Sequence, residues 1–223
     1  MRNIKIAPGE YYHIFNRGVN KQLIFHDNAD RIRFLFLILY FQSPVTFINM
    51  SRPVKQFVKH SVFNIDQETQ QKISKDKFME LTSFCLMPNH FHLMVKEIEE
   101  NGIARYMQRV LNSYTKYYNT KYNKSGHLFQ GPYKIVHVEN NDQLLYLSAY
   151  IHRNPRELKD WFKKENIYPW SSYQDMTKKN RFEKLLVTDI INGQFENKKE
   201  YEKFLKTSPA KLLELDLIDS EQC

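Results

Sequence analysis

Cysteine is scarce: Cys85 and Cys223 are the only two in 223 residues. That excludes a disulfide-stapled scaffold and a cysteine-based zinc site. Glycine (6) and proline (8) are also few, so the chain is neither fibrous nor low in complexity. The most apolar run, Phe34 to Phe41, has eight residues against the ~20 needed to span a bilayer, so no membrane association is expected. The first residues, MRNIKIAPGEYYH, lack the apolar segment of a secretory signal. These absences lead us to expect a soluble protein of the reducing cytoplasm. Acidic residues are outnumbered, 25 against 33 Lys plus Arg, for a formal charge of +8. What the sequence does have is 42% hydrophobic residues, ample for a core, and 14% aromatics, mainly 16 Phe and 14 Tyr. A basic, ring-rich chain suits a polyanionic, stackable partner such as single-stranded nucleic acid. It equally suits a basic protein whose rings fill its interior.

Periodicity divides the chain into elements. Residues 11–16, YYHIFN, followed by Arg17-Gly18, read as a strand running into a turn. Asp27 or Asn28 is placed to cap a helix reaching Phe41, with Ile32, Leu35, Phe36 and Leu39 on one side. The weaker pattern from about 44 to 77 reads as an inserted helical segment. LTSFCLM (81–87) and FHLMVKE (91–97), separated by Pro88-Asn89, predict a hairpin. From Asn101-Gly102 a helical pattern runs to about Tyr122, with Ile103, Met107, Val110, Tyr114 and Tyr117 on one side. Gly126 suits a left-handed position beyond it. PYKIVHVE (132–139) reads as another strand, and Asn140 to Asp142 cap a helix to about Arg153, closed by Pro155. The order βαββαβ with a trailing helix predicts an α+β, ferredoxin-like fold: a split antiparallel sheet with helices on one face. A helical insert and a helical C-terminal tail would complete it, the tail carrying an apolar stripe from Lys211 to Leu217.

The residues able to carry chemistry sit on two of these elements. His90 and His92 are two apart on a strand and therefore share a face, while Phe91, Leu93 and Val95 take the other. Two neutral imidazoles projecting in parallel supply two nitrogen ligands to one divalent cation, although a lone His-x-His is also an ordinary surface or core pair. Tyr150 and Asn154 are four apart on a helix and share its face. A phenol is a competent nucleophile toward phosphodiesters, and the Asn154 amide oxygen would complete a His-His-O set around Mg²⁺ or Mn²⁺. Taken singly, a helical Tyr is a core residue and an Asn before Pro is a helix stop; the combination is what suggests a site. His152 is expected at the surface, turned away from Tyr150, and Tyr114, Tyr117 and Tyr118 are expected to be in the core or partly buried. Arg105, Arg109 and Lys116 form a basic stripe on the long helix, suited to phosphates or simply to water. Lys124, in the loop KYNKSGH (121–127), and Arg17 after the first strand are further candidates for DNA contact.

MPNHFHLMV (87–95) resembles the HUH signature (His, hydrophobic, His) of single-tyrosine transposases. YHIFNRG (12–18), SGHLFQG (125–131) with Tyr133-Lys134, YIHRNP (150–155) and YPWSSY (168–173) are similar, in the same order, to blocks of the REP-associated tyrosine transposases. The resemblance covers about residues 11 to 175. It implies a catalytic domain over 1–175, again ferredoxin-like, with a helical extension over 176–223. It also implies that His90, His92 and Asn154 bind Mg²⁺ or Mn²⁺ and that Tyr150 is the nucleophile. The implied reaction cleaves and rejoins single-stranded, hairpin-containing DNA, of REP-like or insertion-element ends, through a 5′-phosphotyrosine. Lys134 and Arg153 fall within the matching blocks and join the DNA-contact candidates. Arg153 and Arg156-Glu157 depart from the usual apolar and Val-Arg pattern, and Pro132 replaces a common Arg, which would alter DNA contacts rather than ligands or nucleophile. The implied setting is the cytoplasm, at the nucleoid, with the protein a monomer or a homodimer. The competing expectation is a catalytically inactive ferredoxin-like protein that only binds hairpins.

Overall fold

The computed structural model describes residues 5–46, 51–60 and 66–208; the Lys211–Leu217 stripe lies outside them. Strands β1 (Tyr11–Arg17), β2 (Met79–Met87), β3 (His90–Glu97) and β4 (Lys134–Val138) form one antiparallel sheet in the order β2-β3-β1-β4. Helices α1 (Asn28–Tyr40), α2 (Ser51–His60) and α3 (Gln67–Lys75) lie between β1 and β2. Helix α4 (Gly102–Tyr122) joins β3 to β4, and α5 (Asn141–Arg153) follows β4. Three shorter helices, α6 (Tyr173–Thr177), α7 (Asp189–Asn192) and α8 (Lys198–Thr207), complete the described chain. The ferredoxin-like order expected from the sequence is present, and α2 and α3 are the expected insert. Among the described residues no helix is long and apolar enough to cross a membrane.

Side-chain alternation on the strands builds two cores. Tyr12 and Ile14 of β1 and Phe91, Leu93 and Val95 of β3 pack on α1 and α4. On β2, Met79 and Leu81 join them, and a bulge between Leu81 and Ser83 then shifts the register, so that Phe84 and Leu86 face the same side. The bulge is tied down by Gln42, which accepts the Leu81 N–H and donates to the carbonyl of Leu185. Helix α1 is buried nearly all round, from Phe34 to Tyr40, because α2 packs against it as well as the sheet. Cys85, Met87 and Met94 point the opposite way and pack with Leu144, Leu147 and Ile151 of α5 and with Ile191, Tyr201 and Leu205 of α7 and α8. The two helices of the βαββαβ unit thus share one face, as expected, and the trailing α5 covers the other. The segment after residue 176 enters both cores, since Phe182, Leu185 and Leu186 pack on the first.

Helix starts follow the sequence. Asp27 caps α1 by accepting from the N–H of Asp30, and Asn140 caps α5 by accepting from the N–H of Gln143. Helix α4 differs: Asn101 offers no side-chain cap, and the buried carboxylate of Glu97, at the end of β3, accepts from the N–H groups of Gly102 and Ile103 at 3.0 and 2.7 Å. This draws the first turn of α4 onto Phe78, whose carbonyl would stand 2.0 Å from a β-carbon at position 102. Gly102→Ala is therefore expected to destabilise the protein by about 1–3 kcal/mol. A urea midpoint equal to wild type would contradict this close approach.

Candidate active site

Strand β3 turns His90 and His92 toward the face covered by α5. On the neighbouring strand β1, Arg17 stands opposite His90 and Phe15 opposite His92, so Tyr11, His13, Phe15 and Arg17 share that face. Lys134, on the edge strand, stands opposite Phe15 and belongs to the same face. Helix α5 lays Tyr150 over the histidines: its ring is 5.3 Å from that of His92 and 5.9 Å from that of His13, nearly perpendicular to both. One turn on, buried Asn154 donates its amide N–H to the carbonyl of Tyr150 at 3.0 Å. That leaves its oxygen facing the His90 ring, where it favours the protonated imidazole.

The ring nitrogens are assigned by their partners. His90 Nδ1 lies 2.7 Å from the Asn89 oxygen and donates to it, which leaves the lone pair of Nε2 for a ligand. His92 Nδ1 lies 3.0 Å from His13 Nε2. Burial, aided by the charge of Arg17, pulls His90 down to about 4, against the opposing bond from Asn154. Burial, with His13 and His90 adjacent, holds His92 well below the ordinary histidine range. Burial alone takes His13 to about 3. All three rings are neutral at pH 7 and carry a lone pair. Among the described residues no group of three or more His, Cys, Asp or Glu is arranged to hold a metal. Two neutral imidazoles and the Asn154 amide oxygen are the donor set available, and such an N,N,O set fits a divalent cation that keeps open positions for phosphate oxygens and water.

The four residues expected to share a site, His90, His92, Tyr150 and Asn154, are brought together. Arg17 joins them beside His90 and also bonds the Gln130 side chain. The basic candidates on α4 are elsewhere. This helix packs on the opposite face of the sheet, where Arg105 pairs with Glu99 and lies over Phe78, and Arg109 lies over Phe41 and bonds the carbonyls of Ser43 and Val45. Lys116 and Lys124 are exposed on that helix and in the loop after it. In the last turn of α4, Lys121 and Tyr122 are engaged by buried Asp30. Arg153, at the end of α5, bonds the carbonyl of Ser208 and lines a cavity of about 300 Å³ with Arg156, Lys163, Glu165 and Lys206. Tyr114 and Tyr118 are core residues as expected, with hydroxyls on the carbonyls of Ile24 and Leu23, and Tyr117 is half-buried and bonds Asp30.

Two residues were not legible in the sequence. His152 is a correction: expected at the surface, it is fully buried. Its Nδ1 and Nε2 each lie 2.8 Å from a hydroxyl, of Tyr201 on α8 and of Ser172 beside β2, and Tyr201 also bonds Ser148. The C-terminal helices cover the side of α5 that would otherwise have been solvated. His13 is the other. The alternation of YYHIFN puts it on the face of Arg17, but only the β1–β3 register shows that it meets His92.

The sequence matches the family model "Transposase IS200 like" over residues 42–154, about half of the chain. That span contains His90, His92, Tyr150 and Asn154 but not β1. No curated protein matches the sequence. A solved structure of a REP-associated tyrosine transposase bound to a REP hairpin has a similar fold, with a TM-score of 0.52 and 11% identity, covering 85% of this chain and 92% of that one.

The buried histidines set a pH dependence. In the unfolded chain they titrate near 6.5; in the folded protein His13 and His152 do so at about 3 and His90 at about 4. Between those values the unfolded state binds more protons, so stability is full above about pH 6.5 and declines as the pH falls, by about 1.4 kcal/mol per unit for each such histidine. Without divalent cations, denaturant unfolding should show a loss of at least about 2 kcal/mol between pH 7 and pH 5. Equal stability at the two values would contradict the burial of neutral rings.

Proposed function

We propose a function from one premise: the chain belongs to the IS200-like transposase family. On that premise it is a metal-dependent DNA strand transferase that cleaves and rejoins single-stranded, hairpin-bearing DNA through Tyr150. The observation that carries this reading is the stacking of α5 on the strand of His90 and His92. A phenol that would attack, and an amide oxygen that would ligate, are held over two neutral imidazoles. The hairpin substrate is supported by the solved relative of the same fold, which is bound to a REP hairpin.

His90 Nε2, His92 Nε2 and Asn154 Oδ1 would hold Mg²⁺ or Mn²⁺. When bound, the cation neutralises charge on the scissile phosphate and fixes its orientation. Tyr150 Oη attacks phosphorus in line; the Oη–P bond forms as the bond to the 3′ oxygen breaks. The proton lost by the phenol is balanced by the one gained by the 3′-hydroxyl. The 5′-phosphotyrosine keeps the energy of the diester, so a second 3′-hydroxyl can reverse the step and join a new strand without ATP. Arg17, placed beside His90, is positioned to bind a phosphate flanking the cleaved one. Lys134 on the same face would extend that track.

The test is incubation of the protein with end-labelled hairpin DNA and Mn²⁺, followed by a denaturing gel. Wild type should give a covalent adduct that Tyr150→Phe abolishes, and Asn154→Leu should lower adduct formation at least about tenfold. An adduct that persists in Tyr150→Phe would overturn the assignment of the nucleophile. Hairpin binding with no adduct under either cation would instead identify a protein that only binds DNA.

A further inference from the structure

His13 is the one buried group at this site to which the chemistry above gives no part. Its ring is 3% exposed, stacks on Phe15 at 4.8 Å, and lies nearly parallel to His92 at 5.1 Å. Its Nε2 meets His92 Nδ1 at 3.0 Å, while its Nδ1 has no hydrogen-bond partner among the described residues. For packing alone an apolar ring of similar size would serve better, because burying an unpaired ring nitrogen carries a desolvation penalty. The contact with His92 is therefore the feature that requires a histidine here.

That contact admits two proton placements. In the first, His13 Nε2–H donates to His92 Nδ1; His92 then carries its own proton on Nε2 and cannot ligate through it. In the second, His92 Nδ1–H donates to His13 Nε2, and the lone pair of His92 Nε2 is free. Only the second is compatible with a cation held between His92, His90 and Asn154. His90 is fixed in the equivalent state by Asn89, whose side-chain oxygen can only accept.

We propose that His13 is a positioning residue for His92: its Nε2 accepts the His92 Nδ1 proton and thereby holds the ligand tautomer and ring orientation that the cation requires. An acceptor behind a ligating imidazole commonly has this effect on metal affinity. Here the acceptor comes from β1, which lies outside the matched span of the family model. The inference rests on the metal-site reading above.

Mn²⁺ titration of the DNA-free protein, followed by calorimetry, tests it with His13→Leu and His13→Gln. Glutamine can place an accepting oxygen near the position of Nε2, whereas leucine cannot. His13→Leu should weaken Mn²⁺ binding about ten- to hundredfold, and His13→Gln should restore most of the loss. Wild-type affinity in a folded His13→Leu protein, or an equal loss in both variants, would overturn the positioning role. Wild-type protein that binds no Mn²⁺ would overturn the metal-site reading itself. Should His13→Leu fail to fold, nitrogen-15 NMR of the wild-type histidines with saturating Mg²⁺ decides: His92 protonated on Nδ1 supports the role, and on Nε2 contradicts it.

Discussion

A strand cannot present consecutive side chains to the same side, and the organisation of this protein follows from that constraint acting on β3. Phe91, Leu93 and Val95 are consumed by the core beneath α1 and α4. Their neighbours His90, His92 and Met94 must emerge on the other face. Because β3 is an interior strand, paired with both β1 and β2, the emerging imidazoles sit on a strand hydrogen-bonded along both edges. A one-residue slip would bury the histidines against α1 and leave phenylalanine where ligands are needed. The same hydrophobic pattern that stabilises the fold thus fixes the register of the site.

The second face is stabilised differently. Apolar contacts of Leu144, Leu147 and Ile151 bring α5 onto Cys85, Met87 and Met94, but such contacts alone leave the rotation and sliding of a helix loosely defined. The buried chain Ser148–Tyr201–His152–Ser172 supplies direction. It ties the outer side of α5 to α8 and to the segment beside β2, and the His152 imidazole and the Tyr201 hydroxyl would lose these partners if the helix shifted by a residue. Tyr150 and Asn154 occupy the inner side of the same helix. The C-terminal helices therefore belong to the support of the site: they hold the phase that sets Tyr150 against His92 and the amide of Asn154 against His90.

Much of this was legible in the residues. Alternation in FHLMVKE separated His90 and His92 from the core, the i, i+4 spacing joined Tyr150 to Asn154, and Asp27 and Asn140 announced the helix starts. What was not legible depended on contacts distant in sequence. His152 looked solvent-facing because nothing in YIHRNP tells that Tyr201 and Ser172 will close over it. The basic stripe of α4 read equally as a phosphate-binding row or a solvated face, yet Arg105 and Arg109 are engaged by Glu99, Phe78, Phe41 and the carbonyls of Ser43 and Val45. The role of Glu97 as the cap of α4 was likewise hidden, since Asn101 stands at the position where a cap is normally sought. His13 required the strand register, which no local pattern specifies.

In the proposed reaction His90, His92 and Asn154 converge on one cation under Tyr150. Anomalous diffraction from a crystal of the protein grown with Mn²⁺ examines that directly. One strong peak is expected, bounded by His90 Nε2, His92 Nε2 and Asn154 Oδ1 at about 2.0–2.3 Å, with Tyr150 at its open side. A fully occupied peak elsewhere with this position empty, or a cation ligated by His13 in place of His92, would contradict it.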